Sequence, residues 1–261
     1  MCLITFSYQQ HAHYPLIVAA NRDENYDRPT RPAQFWDNQA SLLAGKDLRA
    51  GGTWMGITEQ GYWSALTNYR DPSIRRSNPP SRGNLPLQYL GNEQGPIEYL
   101  HTLKETASQY MGFNLLVGSP DKLGYYSNQQ DKVRELTPGV YGLSNSLLDT
   151  PWPKVERAKS HLQQLITDNQ ITEEALFNIL LDDSEASDEQ LPNTGIPKDI
   201  EKKVSPIFIK SDGYGTRCST VLLVDQHGEI TFSERRFKNG TQKVIDESRY
   251  QFSIPEPYFS K

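Results

Sequence analysis

Short apolar runs rich in β-branched and aromatic residues, each cut off by turn formers, constrain what this chain can fold into more than any other feature. Cys2 to Phe6 and Tyr14 to Ala20 are two such runs, separated by the polar QQHAH in the manner of a hairpin connection. Thr53 to Ile57 and Tyr62 to Leu66 repeat the arrangement around the turn Glu59 to Gly61, after the proline-punctuated stretch RPTRPAQFW. A polar, Pro-rich connection from Asp71 to Pro86 has no period and reads as a loop bordering a site.

The middle of the chain changes period. Between Gly95 and Gly112, Ile97, Leu100, Leu103 and Ala107 recur at helical spacing, and Phe113 to Val117, Tyr125 to Tyr126, Val133 to Leu136 and Val140 to Leu143 then read as strands. Thr150 suits an N-cap with Pro151 at the first helical position, followed by the apolar stripe Val155, Ala158, Leu162 and Ile166. A second helix is expected over Thr172 to Leu181, ending in the acidic run Asp182 to Glu189, which reads as a solvated loop. Ile207 to Ile209, Thr220 to Val224 and Ile230 to Ser233 return to strands. Hairpins, then helices, then strands predict an α+β layered sandwich rather than an alternating parallel sheet. With no linker between two cores, one domain is expected over residues 1–261.

Composition removes several function classes. A net charge of −5 gives no general attraction to nucleic acid. The longest apolar runs fall far short of the roughly 18 residues of a membrane span, and no basic stretch precedes an apolar segment as in a secretory signal. The expected location is cytoplasmic, and two cysteines, Cys2 and Cys218, fit a reducing compartment better than a disulfide framework. CxxCH, HExxH, P-loop and GxGxxG motifs are all absent from the sequence. His11 and His13 share a spacing that could bind a metal, but they fall in the expected hairpin loop, and no metal site is assigned.

The second strand ends in AANRDE, where buried polar residues must find partners or reach solvent. If the first two runs pair, Cys2 begins one strand where the other ends, placing NRDE beside the thiol. Strand alternation puts Asn21 and Asp23 on one face and Arg22 and Glu24 on the other, so a shared site needs a bend or bulge. Removal of Met1 would leave Cys2 with a thiol of reference pKa about 8.5 and an α-amine of about 7.7–8.0 on one Cα, nucleophile and base in a single residue. A nearby arginine would favour the thiolate; Cys2 alone also reads as an inert buried thiol. Asn68 in SALTNYRD and Asn145 in YGLSNSLLDTPW follow strands and could donate amide N–H groups to an oxyanion. In GYGTRCST, Gly213 and Gly215 permit unusual backbone before Arg217, a second cation for the thiolate.

MCLITF, AANRDE, LAGKDLRAGGTWMGIT, ALTNYRD, GLSNSLLDTPWPKV, LPNTGIP and GYGTRCSTVLLV together resemble the NRDE family, the transport and Golgi organisation 2 proteins, over nearly the whole chain. That resemblance implies an N-terminal nucleophile hydrolase fold, a four-layer αββα sandwich, and a more distant likeness to penicillin V acylases and bile salt hydrolases. It implies Cys2 as nucleophile, its amine as base, Asp23 orienting the amine, Asn68 and Asn145 forming the oxyanion site, and Arg22 and Arg217 stabilising the thiolate. Those acylases separate their arginine and aspartate by two residues, whereas Arg22 and Asp23 are adjacent. The expected activity is hydrolysis of a C–N bond in a linear amide, with a small-molecule partner and no cofactor. The family is also implicated in intracellular haem trafficking and in lipid or acyl-CoA metabolism, which implies the alternative of a binding protein carrying haem or an acyl ligand.

Overall fold

In the first two strands, side chains on both faces are apolar because both faces are covered. The computed structural model describes residues 2–92, 94–119 and 121–255. Its first half runs through β1 (Cys2–Tyr8), β2 (Leu16–Asn25), β3 (Thr30–Trp36), β4 (Gln39–Asp47), β5 (Met55–Thr58), β6 (Trp63–Asn68), α1 (Asn84–Leu90) and α2 (Pro96–Lys104). Strands β7 (Phe113–Ser119), β8 (Lys122–Ser127), β9 (Lys132–Glu135) and β10 (Gly139–Leu143) follow, then α3 (Pro153–Thr167), α4 (Glu173–Leu180) and α5 (Lys198–Lys203). The chain closes with β11 (Lys210–Ser211), β12 (Tyr214–Val224), β13 (Glu229–Phe237) and β14 (Val244–Ser253).

Antiparallel ladders assemble these strands into two sheets. One has the order β10-β1-β2-β12-β13-β14, with β11 added on β12; the other is the meander β3-β4-β5-β6-β7-β8-β9. Ile4, Phe6, Val18 and Ala20 face the second sheet, meeting Leu43, Ile57, Trp63 and Leu116. Leu3, Ile17 and Ala19 point the other way and pack under α3 and α4, against Val155, Leu162 and Phe177. On the far side of the second sheet, Leu85 and Tyr89 of α1 and Tyr99 and Leu100 of α2 cover Leu115 and Val117. The result is the four-layer αββα sandwich. Among the described residues no helix is long and apolar enough to cross a membrane.

Several elements differ from expectation for identifiable reasons. Thr30–Trp36 of RPTRPAQFW form strand β3: it lies at a sheet edge, and its register shifts between Arg31 and Gln34, so Pro32 removes no ladder bond the sheet needs. Helix α3 begins at Pro153 behind Trp152, because the Thr150 hydroxyl donates to the Leu147 carbonyl (2.8 Å) instead of capping a helix at Pro151. Thr172 does cap α4, its hydroxyl accepting from Ala175 N at 3.1 Å. The run Ile207 to Ile209 is buried but not a strand; Phe208 N donates to the Asp182 carbonyl and Ile207 O accepts from Asn21. The helix expected up to Gly112 stops at Lys104, and α1 carries Pro86 in its first turn, where no intrahelical N–H is needed.

One close backbone approach fixes the connection after β6. A Cβ on Gly52 would lie 2.5 Å from the Gly83 carbonyl carbon, and Thr53 N donates to Gly83 O at 3.0 Å. The two segments can touch only because no side chain intervenes. Gly52→Ala is expected to cost about 1–3 kcal/mol of stability and to lower the thermal midpoint by several degrees, measurable by calorimetry.

Candidate active site

Strand β10 leaves β1 at Leu143, opposite Ile4, so the first two residues of β1, Cys2 and Leu3, have only β2 beside them. The freed Cys2 carbonyl accepts a hydrogen bond from the Ser144 hydroxyl at 2.9 Å. Across the other edge Cys2 stands directly opposite Arg22, and on the next strand Cys218 stands opposite the same arginine. Cross-strand partners share a face, and this face is the one between the sheets. There the Arg22 guanidinium lies over Trp54, 4.1 Å from the ring centroid. Trp54 fits because residue 45 is glycine; a Cβ there would come within 2.3 Å of the indole.

Asp23 points to the opposite face, toward the helices. Thr216 Oγ1 donates to its Oδ1 at 2.7 Å, and burial pushes its carboxyl above the usual range, opposed chiefly by the charge of Lys154. Lys154 is itself buried on α3, with Nζ donating to Val204 O at 3.2 Å, and burial brings its pKa down to about 8, with Asp23 the main opposing influence. Asn21 shares this face; its amide donates to Leu180 O and Ile207 O, both at 2.9 Å, tying β2 to α4 and to the segment after α5.

The electrostatics at Cys2 run against the expectation of a ready thiolate. Burial raises the thiol pKa and Asp23 adds to the rise, while the Asp23 backbone N–H and Arg22 oppose it without prevailing. Arg217 does not join them. It is the extra residue of a bulge between Thr216 and Cys218, and its Nη1 donates to Asn25 O (2.8 Å) and Arg28 O (3.0 Å). Cys218, fully enclosed beside buried Glu234, has its thiol pushed well up by burial.

Asn68 and Asn145 are brought together, but not side by side. Asn145 is buried, and its amide donates to the Asn68 backbone carbonyl at 2.7 Å while its own carbonyl accepts from Arg70 N. Arg70 is pinned by Glu201 at 2.5 Å and lies over Trp152, 4.8 Å from the ring centroid. Asn68, at the end of β6, lines a cleft of about 320 Å³ together with Cys2, Arg22, Asp23, Glu24 and Trp54. The far wall is the Pro-rich loop expected to border a site, contributing Pro79, Pro80, Ser81 and Arg82. A second hollow of about 730 Å³ shares Glu24 and Asn68 with it and adds Ile200, Lys203, Val204 and Tyr214.

The family model described as Transport and Golgi organisation 2 matches residues 1–239. The chain belongs to that family. Its relatives include the transport and Golgi organization 2 homologs of Mus musculus, 34% identical over 97% of this chain and 99% of that protein, and of Bos taurus, 38% identical with the same coverage. Among solved structures it is similar to conjugated bile acid hydrolase from Clostridium perfringens, at TM-score 0.53 and 10% identity over 97% of this chain and 98% of that one. That likeness gives this family member the N-terminal nucleophile hydrolase fold.

Sequence reasoning missed Trp54, Arg82, Ser144 and Lys154. Lys154 alone left a usable trace: it precedes Val155 and lies four residues before Ala158, a cation on an apolar stripe. With its folded pKa depressed, Lys154 gives up its proton in the folded state before it would in the unfolded chain, so the unfolded state binds more protons between about pH 8 and 10.5. Stability therefore gains with pH across that window. Urea midpoints of wild type relative to Lys154→Met should rise from pH 8 to pH 10; parallel profiles would contradict a buried charged lysine.

Proposed function

We propose that the protein is a cysteine hydrolase that cleaves a C–N bond in a linear amide. One observation carries the reading: Cys2 lies half-buried in the cleft, opposite Arg22 in the ladder, with Asn68 on the adjoining wall. Because burial keeps the thiol protonated near neutral pH, attack requires a base. The Cys2 α-amine fills that role once Met1 is removed; Met1 lies outside the described residues. The amine takes the thiol proton as sulfur bonds to the amide carbon, and the Asn68 side-chain amide donates to the oxygen that gains charge. Collapse expels the amine portion of the substrate, which takes the proton back from the Cys2 ammonium, leaving a thioester. Water, deprotonated by the same amine, then releases the acid and regenerates the thiol. Asn145 acts through Asn68, whose backbone it holds, and Arg22, opposite Cys2 in the ladder, favours the thiolate.

Intact-mass analysis of the untagged protein followed by an amide screen tests this. Met1 should be absent, a transient acyl adduct should map to Cys2, and Cys2→Ala should lose turnover by at least about a thousandfold. Asn68→Ala should lose about 10²–10³ in kcat. Full activity in Cys2→Ala would sink the mechanism. Carriage of haem or an acyl ligand in the same cleft, the competing proposal, would show instead as a haem absorption shift, or acyl-ligand binding, without an acyl adduct.

A further inference from the structure

Three arginines line the Cys2 cleft, and two of them lie against a carboxylate or an aromatic ring of the protein. Arg28 bonds Asp47 at 2.6 Å and stands 3.8 Å from Glu24. Arg22 lies against the Trp54 ring. Arg82 is different. Its Nη1 donates to Gly112 O at 2.8 Å; among the described residues it has no further hydrogen bond and no carboxylate at ion-pair distance. The side chain is half-buried, so its cation has lost part of its water without gaining a counter-charge. Burial pulls its pKa down, and the charge of Glu24 is the chief opposing influence.

Its setting is also rigid. Arg82 immediately precedes Gly83, whose backbone is locked against Gly52 and Thr53, and its own Nη1 bond ties it to the segment before β7. A planar fork held this way, with donors left over, matches the oxygens of a carboxylate, sulfonate or phosphate. At about 320 Å³ the cleft is at the small end of ligand pockets, roughly 300–1,000 Å³. Arg82 and Cys2 line this one small cleft together, so an anion on the first and a carbonyl presented to the second would share it.

We propose that Arg82 is the specificity-determining anchor for an anionic group of the substrate, so that the site takes amides bearing an oxyanion close to the scissile bond. This rests on Cys2 being the nucleophile. Two reagents of nearly equal shape separate the two ideas: iodoacetate, which carries a carboxylate, and neutral iodoacetamide. In both, the thiolate displaces iodide and a C–S bond forms. The rate ratio at Cys2, iodoacetate over iodoacetamide, should fall about tenfold in Arg82→Gln relative to wild type and stay near wild type in Arg82→Lys, with the labelled residue mapped by mass. In wild type, sulfate, phosphate or acetate should slow alkylation of Cys2 by iodoacetamide at constant ionic strength, and the strongest of the three names the oxyanion. Should Arg82→Gln fail to fold, the same ratio is read in Arg82→Met. An unchanged ratio, or no protection by any anion, overturns the anchor and leaves the nucleophile standing. A Cys2 that reacts with neither reagent overturns both.

Discussion

The ladder β1-β2-β12 sets everything else in the site, because antiparallel pairing dictates which side chains can meet. Cys2 opposite Arg22, and Arg22 opposite Cys218, puts both thiols and one guanidinium on the face between the sheets. The pleat then sends Asp23 to the helix face, where Thr216 and Lys154 meet it. A nucleophile and an acidic residue one position away from its partner cannot share a face in mid-strand. They can both approach one residue only where the strand ends, and β1 ends at Cys2.

Burial, rather than the neighbouring arginine, decides the resting protonation of that residue. Arg22 favours the thiolate, yet burial penalises an anion there more than that cation compensates. The same desolvation lifts Asp23 and depresses Lys154, which is what a dry pocket does to acids and bases alike. On the proposed mechanism, attack by such a sulfur would have to move a proton as well, and the Cys2 α-amine would meet that need once Met1 is removed.

How much of this was legible in the sequence depends on the kind of interaction. The hairpin, the placement of NRDE beside Cys2 and the split of Asn21 and Asp23 from Arg22 follow from period-two alternation alone, since an apolar run that stops on four polar residues has few ways to end. Arg217 shows the limit: its role was inferred from nearness in sequence to two glycines, but the bulge turns it toward the Asn25 and Arg28 carbonyls, and a bulge has no residue-type signature of its own. Asn145 is similar, because its partner is a backbone carbonyl that any residue at position 68 would supply. The strand hidden in RPTRPAQFW was masked by proline, whose objection to sheets disappears at an edge.

The division between floor and wall of the cleft follows from the same layering. Cys2, Arg22 and Asn68 stand on strand ends held by two buried cores, and their positions are fixed by registers that a one-residue slip would invert. Pro79 to Gly83 come from a connection with no register, held at one point by the Gly52 contact and at another by the Arg82 bond to Gly112. Residues on such a loop are paired in neither sheet. On the proposed reading, chemistry would sit in the part of the fold that cannot move and ligand selection in the connection that packs over it, with Arg82 at the boundary between them.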